Sequence, residues 1–398
     1  MHVLISGAGI AGPTLAYWLA RYGIDATIVE KARKLRTGGY IIDFWGAGFE
    51  IADRMGLVPE VRRSGYNVRE VWVVNRSGAR VSGFPVEAFT RAMGDGFTSL
   101  PRGDLAAAIF SRIAGKVEAI FDDTVEGLEQ TDTGVNVTFE RHGTRSFDLV
   151  IGADGLHSRI REIVFGPESR FERYLGLKVA AFEVTGYRPR NELTYVMYTQ
   201  VGRQVARFAM RDDRTMFLFT FEDDDVGGPT DIAGQKALLR NRFGQSGWEC
   251  PHILDALDRA DDLYFDRVSQ VHMNQEDGLW TKGRITLVGD AASCVSLLGG
   301  QGSALAMTAA YILAGELRRA NGDYRAAFAQ YQQLFGPFVA IKQRAAVRFA
   351  GGLAPTSKFA LFLRNQLFHL LAIRWVARVT AGRGFRDNLV LPDYETGA

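Results

Sequence analysis

Glycines at positions 7, 9 and 12, set between a short apolar run and an amphipathic stretch, constrain this chain more than any other feature. Met1-His2-Val3-Leu4-Ile5-Ser6 runs into Gly7-Ala8-Gly9-Ile10-Ala11-Gly12. Helical periodicity follows from Pro13 to Tyr22, and Glu30 closes the next apolar run, Ala26-Thr27-Ile28-Val29. The order predicts strand, tight turn, helix and strand, a nucleotide-binding βαβ unit. Gly7 permits the turn, Gly9 lets backbone approach a pyrophosphate, and Gly12 allows close helix–strand packing. Glu30, 18 residues after the last glycine, can accept from ribose hydroxyls. The helix N-terminus at this turn offers free N–H groups and a positive dipole end to phosphates.

At 398 residues the chain can hold two or three domains and bury a large core. Its 47 Lys and Arg against 45 Asp and Glu leave a net charge of +2, which gives no electrostatic case for nucleic acid. Cys250 and Cys294 lie far apart and share no ligand-like spacing with the six histidines, so neither a disulfide framework nor a metal site is expected. A cytoplasmic protein without a signal peptide is the expectation. Phe359 to Thr380 is apolar, but Arg364, Asn365, Gln366, His369, Arg374 and Arg378 interrupt it too often for a spanning helix. On a helical projection Arg364, Arg374 and Arg378 fall within about an 80° arc, which predicts one polar edge on an otherwise buried helix.

Further along, Ala47 to Met55 reads as a helix ended by Gly56, and Val68 to Val74 with Ala79 to Phe84 as a hairpin about Asn75-Arg76-Ser77-Gly78. Leu105 to Ala114 reads as a helix with Asp104 as N-cap. Val117–Phe121, Thr124–Glu129, Val135–Arg141 and Ser146–Ile151 read as a meander. Gly176 to about Thr220 is strand-rich, and the acidic run Glu222-Asp223-Asp224-Asp225 is a solvated loop. Asp231 to Phe243 returns to helical periodicity. A second strand–loop–helix signature comes late, as Arg284 to Asp290, a Gly-rich loop and a helix from Ser303 to Ala320. The β-rich block between the two signatures is therefore an insertion, and the tail from Tyr324 to Thr380 is largely helical.

Between those ends sits Asp148-Leu149-Val150-Ile151-Gly152-Ala153-Asp154-Gly155-Leu156-His157-Ser158-Arg159-Ile160-Arg161. With the N-terminal glycines and Gly289-Asp290 this makes three motifs in order. In carrying them the chain resembles, over residues 1–320, the single-component FAD-dependent aromatic hydroxylases typified by p-hydroxybenzoate hydroxylase. Within that group it is most similar to the tetracycline-inactivating and polyketide-hydroxylating flavin monooxygenases. The runs that carry this likeness are Lys31-Ala32-Arg33 to Gly38-Gly39, Arg102-Gly103-Asp104-Leu105, Gly289-Asp290-Ala291-Ala292 with Ser296 to Ser303, and Ala310 to Leu317.

The resemblance implies an α/β fold: a Rossmann-like FAD-binding domain (1–65, 100–170 and 276–323), an inserted β-rich substrate domain (66–99 and 171–275) and a C-terminal helical segment (324–398). It places Gly7, Gly9, Ala11, Gly12, Glu30 and Lys31 at the ADP half of FAD, and Arg102 at its phosphate or ribityl region. Asp290, beside Gly289, would accept from ribityl hydroxyls, and the loop Gly299 to Gly302, with Gly300 in it, would set N–H groups at the flavin pyrimidine edge, where charge develops on reduction. Asp154 would serve both FAD and a transient nicotinamide cofactor. Where many relatives have His after the Gly-Asp-Ala-Ala run, Pro in the loop and Asn beyond it, this chain has Ser293, Ser296-Leu297 and Ala304.

The implied chemistry is reduction of the flavin by NADPH or NADH, reaction with O₂ to a C4a-hydroperoxide, and hydroxylation of an electron-rich carbon; the cofactor carries it, and no catalytic side chain or metal is assigned. Only one dinucleotide fingerprint occurs, which fits a transient nicotinamide visit, and no Cys-x-x-Cys supports a disulfide reductase. None of the six tryptophans takes the Trp-x-Trp-x-Ile-Pro spacing of flavin halogenases. An FAD-dependent reductase of the same fold, and a drug- or flavin-binding protein without turnover, stay open. Strand alternation offers Tyr198, Arg207 and Phe219 as substrate contacts, joined by Leu298 and Phe349, with Arg207 suited to a phenolate or enolate. The expected substrate is a cyclic, polyketide- or tetracycline-like small molecule. Monomer or dimer is left undetermined.

Overall fold

The structure, a computed structural model, describes all residues but 36–37, 39, 88–95, 275–278, 298–299, 354, 372–388 and 396–398, with backbone alone at 348–353 and 371. The chain opens with β1 (His2–Ser6), α1 (Ala11–Arg21) and β2 (Asp25–Glu30), followed by β3 (Ile41–Phe44), α2 (Ala47–Arg54) and α3 (Val58–Ser64). Next come β4 (Glu70–Val74), β5 (Arg80–Pro85), β6 (Thr98–Pro101), α4 (Arg102–Ser111) and β7 (Glu118–Phe121). β8 (Val125–Gln130), β9 (Val135–Phe139), β10 (Thr144–Phe147), β11 (Leu149–Gly152) and α5 (Arg159–Phe165) precede four long strands. These are β12 (Glu172–Thr185), β13 (Thr194–Gln200), β14 (Arg203–Ala209) and β15 (Arg214–Glu222). After α6 (Ile232–Phe243), α7 (Cys250–Asp258), β16 (Tyr264–Val271), β17 (Thr281–Lys282) and β18 (Ile285–Leu287) the chain turns helical. It ends in α8 (Asp290–Ser293), α9 (Gly302–Arg319), α10 (Tyr324–Leu353) and α11 (Lys358–Leu371).

Five strands lie parallel in the order β18, β11, β1, β2, β7, and β17 adds an antiparallel edge. β11 reads Leu-Val-Ile-Gly and is buried throughout, as a strand covered on both faces must be. α9 is buried along nearly its whole length; its alanines let α1 and α2 approach closely, so that a Cβ on Gly48 of α2 would stand 2.5 Å from Ala304 Cα. The expected four-strand meander is divided: β7 joins the parallel sheet beside β2, β11 joins it beside β1, and only β8, β9 and β10 form an antiparallel sheet. The apolar, fully buried β11 fills the sheet centre, whereas the polar, half-exposed β10 fits only an outer layer. α4 starts at Arg102 with Pro101 as N-cap, so Asp104 lies in the first turn, where its charge meets the helix dipole.

The second large sheet has the order β16, β12, β15, β14, β13, β4, β5, antiparallel but for β13 with β4. One face carries Ala180, Phe182, Val196, Tyr198, Val205, Phe217, Phe219 and Phe221 into a core closed by α6 and α7. The other turns toward β3 and the loop after α8, where Tyr40, Ile41 and Leu297 pack with its side chains. Register sets Tyr264, Ala181, Leu218, Ala206, Met197, Val73 and Ser82 in one row on that face, and Val179, Thr220, Gln204 and Thr199 in the next.

Helix α11 corrects the sequence reading. Phe359, Phe362, Leu363, Leu367 and Leu370 are about half exposed or more, while Arg364 is 7% exposed. The helix lies over β5, with Phe368 on Phe84 and Ser82 Oγ donating to Asn365 O, and the surface beneath Arg364 is polar. Arg374 and Arg378 lie outside the described residues.

Candidate functional site

At the carboxyl ends of β1, β11 and β18 three glycine turns converge, as expected for a site outside the strand ends of a parallel sheet. Gly7 has φ +109°, and a Cβ there would sit 2.5 Å from Ala153 O. A Cβ on Gly12 would drive into Gly7 O, so the helix can begin this close only with glycine. Ala8 N–H donates to Glu30 Oε2 at 2.8 Å and Ala32 N–H to Oε1 at 2.9 Å. The carboxylate is thereby pinned beside the turn with lone pairs remaining on both oxygens. Gly289, at φ +64°, brings Ala11 within 3.0 Å of where its Cβ would be. Lys31 follows Glu30 at the end of β2.

Arg102, at the start of α4, reaches over Gly9, with Nη2 3.5 Å from the position of a Cβ there. Asp290 is half-buried; its withdrawal from water pushes its carboxyl up, while the Arg102 charge pulls it back. A Cβ on Gly302 would stand 3.9 Å from Asp290 Oδ1, and one on Gly300 3.8 Å from the Trp45 ring. Asp154 is held by Ser158 Oγ at 2.5 Å and Ile160 N–H at 3.0 Å, and burial raises its carboxyl. These hydrogen bonds serve the turn into α5, yet the turn itself abuts Gly7, so Asp154 belongs to the same cradle.

Side chains that the motifs alone do not single out complete the surroundings. Arg161 is wholly buried and donates to Ala291 O at 3.0 Å and Leu156 O at 2.7 Å, tying the Asp154 turn to the Asp290 turn. Tyr40 and Tyr264 pair at 5.3 Å beside Arg102 and Asp290, and burial raises both phenols. Gln343 of α10 donates to Val271 O at 2.7 Å and Cys294 O at 3.3 Å, fixing the loop from behind. Arg161 stood within a quoted motif, whereas Tyr40, Tyr264 and Gln343 carried no local signal. Among the described residues Trp45 Nε1 and Ser296 Oγ are buried without a hydrogen-bond partner, and Ser296 has φ +87°. Orphaned donors beside a glycine cradle fit a bound group that accepts from them, as FAD does.

The proposed substrate contacts are not brought to this place. Tyr198 and Phe219 point into the core under α6 and α7. Arg207, 3% exposed, lies on the same far face, paired with Glu249 at 3.1 Å and donating to Asn191 Oδ1 at 2.8 Å. Burial pushes its guanidinium down and the Glu249 carboxyl up, each opposed by the other's charge. Alternation gave these residues a common face, but both faces are apolar, and parity alone does not tell which one meets the glycine cradle. Leu298 lies outside the described residues, and so does the side chain of Phe349, in α10. On the face turned to the cradle stand Tyr195, Met197, Leu218 and Tyr264, each only half-buried.

Comparison with known proteins agrees with this geometry. A family model described as an FAD binding domain matches residues 1–323. A flavin-dependent monooxygenase from an unknown prokaryotic organism is 37% identical over 344 residues, covering 86% of this chain and 87% of its own. One from Legionella longbeachae is 34% identical over 350 residues, covering 86% and 87%. Among solved structures, the tetracycline destructase Tet(51) superposes with a TM-score of 0.82 at 32% identity, covering 99% of each chain. The chain therefore belongs to the FAD-binding-domain family and is an FAD-dependent monooxygenase of the aromatic hydroxylase fold.

Proposed function

We propose that this monooxygenase uses NADPH or NADH and O₂ to hydroxylate a cyclic phenolic or enolic compound of polyketide or tetracycline type. The observation that carries the reading is the half-buried row of Tyr264, Leu218 and Met197 on the sheet face whose Leu218 and Tyr264 pack with Leu297, in the loop that leads to Gly300. Flat apolar walls of this kind bury a planar ring system and exclude water from it. The likeness to tetracycline destructases over nearly the whole chain supports the same substrate class.

In this reading Gly7, Gly9, Ala11, Gly12, Glu30 and Lys31 hold the ADP half of FAD. Arg102 meets its phosphates or ribityl chain and Asp290 a ribityl hydroxyl, with Asp154 at the hinge between turns. Gly300 and Gly302 present the start of α9 to the pyrimidine edge. FAD, once reduced by the nicotinamide, supplies the activation of O₂ and the electrophilic oxygen. The chain's own part is to bind and orient. Arg161 and Gln343 lock the two turns that meet the cofactor, while Tyr40 and Leu297 close the cleft against the sheet. The segments 1–65, 100–170 and 276–323 form the cofactor domain, 66–99 and 171–275 the substrate domain, and 324–398 the helical tail.

The test is NADPH and NADH oxidation by FAD-loaded protein, with and without tetracyclines, anthracyclines and simple phenols, while O₂ and product masses are followed. Ligand-stimulated oxidation, with O₂ consumed and one oxygen atom gained, is expected. Stimulation without O₂ uptake would move the protein to the reductases. Silence toward all the polycyclic ligands would overturn the substrate class.

A further inference from the structure

Two buried glutamines hold the loop between α8 and α9 by its carbonyls: Gln270 of β16 and Gln343 of α10. Gln270 Nε2 donates to Val295 O at 3.1 Å and to Gln343 O at 2.8 Å, and its Oε1 meets His272 Nε2 at 2.9 Å. Gln343 Nε2 donates to Val271 O at 2.7 Å and Cys294 O at 3.3 Å, and Cys294 O also accepts from Val271 N–H at 3.0 Å. Each amide nitrogen thus spends both its hydrogens, one on the loop and one across to the element that carries the other glutamine. A buried amide is costly without such partners, so the two side chains and the two loop carbonyls form one unit.

The hold has a direction. In a planar trans peptide the C=O and the following N–H point opposite ways. With Cys294 O and Val295 O drawn toward β16 and α10, the N–H groups of Val295 and Ser296 face away from those two elements. Ser296 sits at φ +87°, a conformation unfavourable for serine that persists only where its surroundings impose it. Both ends of the loop belong to the cofactor cradle: Asp290 opens α8 just before Cys294, and Gly302, whose Cβ would stand 3.9 Å from Asp290 Oδ1, opens α9. A shift of Cys294 to Ser296 therefore displaces the N–H groups that the end of the loop and the start of α9 present. Gln343 lies beyond residues 1–323, the part matched by the FAD-binding family model, and no motif points to it.

We propose that Gln270 and Gln343 are positioning residues for the cofactor. Through the Cys294 and Val295 carbonyls they set the N–H donors of this loop against the flavin pyrimidine edge, and so fix how much more tightly the chain holds reduced FAD than oxidised FAD. Reduction adds negative charge at that edge, so donors held in place favour the reduced form over the oxidised one. The inference rests on the placement of FAD proposed above and is independent of the substrate class.

Wild type, Gln343→Met, Gln270→Met and the double variant are loaded with FAD, and the two-electron reduction potential of the bound flavin is measured by equilibration with a redox dye. FAD affinity and thermal unfolding are recorded alongside, and Arg207→Met, destabilised on the far face of the sheet, serves as the control for a merely loosened fold. Loss of one glutamine should cost reduced FAD about tenfold more affinity than oxidised FAD, a fall of about 30 mV in potential. The double variant should fall by less than the two single falls combined, because either loss frees the same loop. If Gln343→Met does not retain FAD, Gln343→Asn, which keeps the amide on a shorter arm, should lower the potential by a smaller amount. An unchanged potential in the glutamine variants, or an equal fall in Arg207→Met, would overturn the assignment and leave the monooxygenase in place. A wild type that takes up no FAD would remove the cofactor placement and this proposal together.

Discussion

At Gly12 a single methyl group decides whether the first turn can exist. A Cβ there meets Gly7 O, part of a rigid backbone turn with nothing to yield. Gly12→Ala is therefore expected to purify without bound FAD and to unfold at lower temperature, by an overpacking cost of about 1–3 kcal/mol. Stoichiometric flavin absorbance in the purified variant would contradict this. Arg207 makes the opposite case: a charged residue conspicuous in the sequence whose contacts lie within the fold, with Glu249, Pro189 O and Asn191. Arg207→Met leaves the largely buried Glu249 carboxylate without its counter-charge, with the Tyr187 hydroxyl still donating to it. The variant should lose about 3–5 kcal/mol of stability in urea unfolding while KM for an accepted ligand stays unchanged. A raised KM at full stability would return Arg207 to the substrate. Gly7 and Gly12 were legible because backbone atoms at those two positions leave no room for a side chain. The substrate face was not, because Arg207, Tyr198 and Phe219 alternate correctly on a sheet that is apolar on both sides.

Among elements, the turn before α5 and strand β16 are joined by a titratable clasp. His157 bonds Glu168 Oε1 at 2.8 Å through Nδ1 and Asp266 Oδ1 at 3.2 Å through Nε2, and Arg267 meets Glu168 at 3.1 Å. The two carboxylates raise the imidazole from 6.5 to about 9, Asp266 contributing most. A folded-state value above the unfolded one means stability that is complete below pH 6.5 and is lost as pH rises through about 9. Melting temperatures of wild type and His157→Gln should thus differ at pH 6 and converge by about pH 10, by a modest amount because the ring is 45% exposed. A constant difference across that range would refute the clasp. The C-terminal strap offers a second check. Tyr394 lies flat against Gly315 of α9, its hydroxyl donating to Glu316 Oε1 at 2.5 Å, with Arg21 on Glu395 at 2.5 Å. Gly315→Ala would expel the ring, and limited proteolysis should then cleave the tail sooner than in wild type. Helix α11 shows why amphipathic reading fails here. Counting polar residues on a projection assumes an apolar partner surface, but Thr199 and Gln204 present a polar one, so Arg364 turned inward and the leucines outward.

Across the whole molecule the parallel sheet gathers strands from positions 2 to 287, with the large antiparallel sheet between them in sequence. That architecture was readable at β1 and β18, each of which ends in a glycine turn whose chemistry marks it, whereas β11 reads in sequence as the last strand of a meander although Gly152-Ala153-Asp154-Gly155 closes it. The edge strand β7 carries no such mark and was misread as meander, since its pairing with β2 depends on residues some ninety positions away. The convergence of those turns on one place, facing a half-open wall, is the physical content of the assignment as a monooxygenase. Its most direct test is turnover of an accepted polycyclic ligand under isotopically labelled dioxygen, with the product weighed. One labelled oxygen atom per product molecule, and one nicotinamide oxidised for each, are expected. Product bearing unlabelled oxygen from water, or nicotinamide oxidation that yields only hydrogen peroxide with every ligand tried, would contradict it.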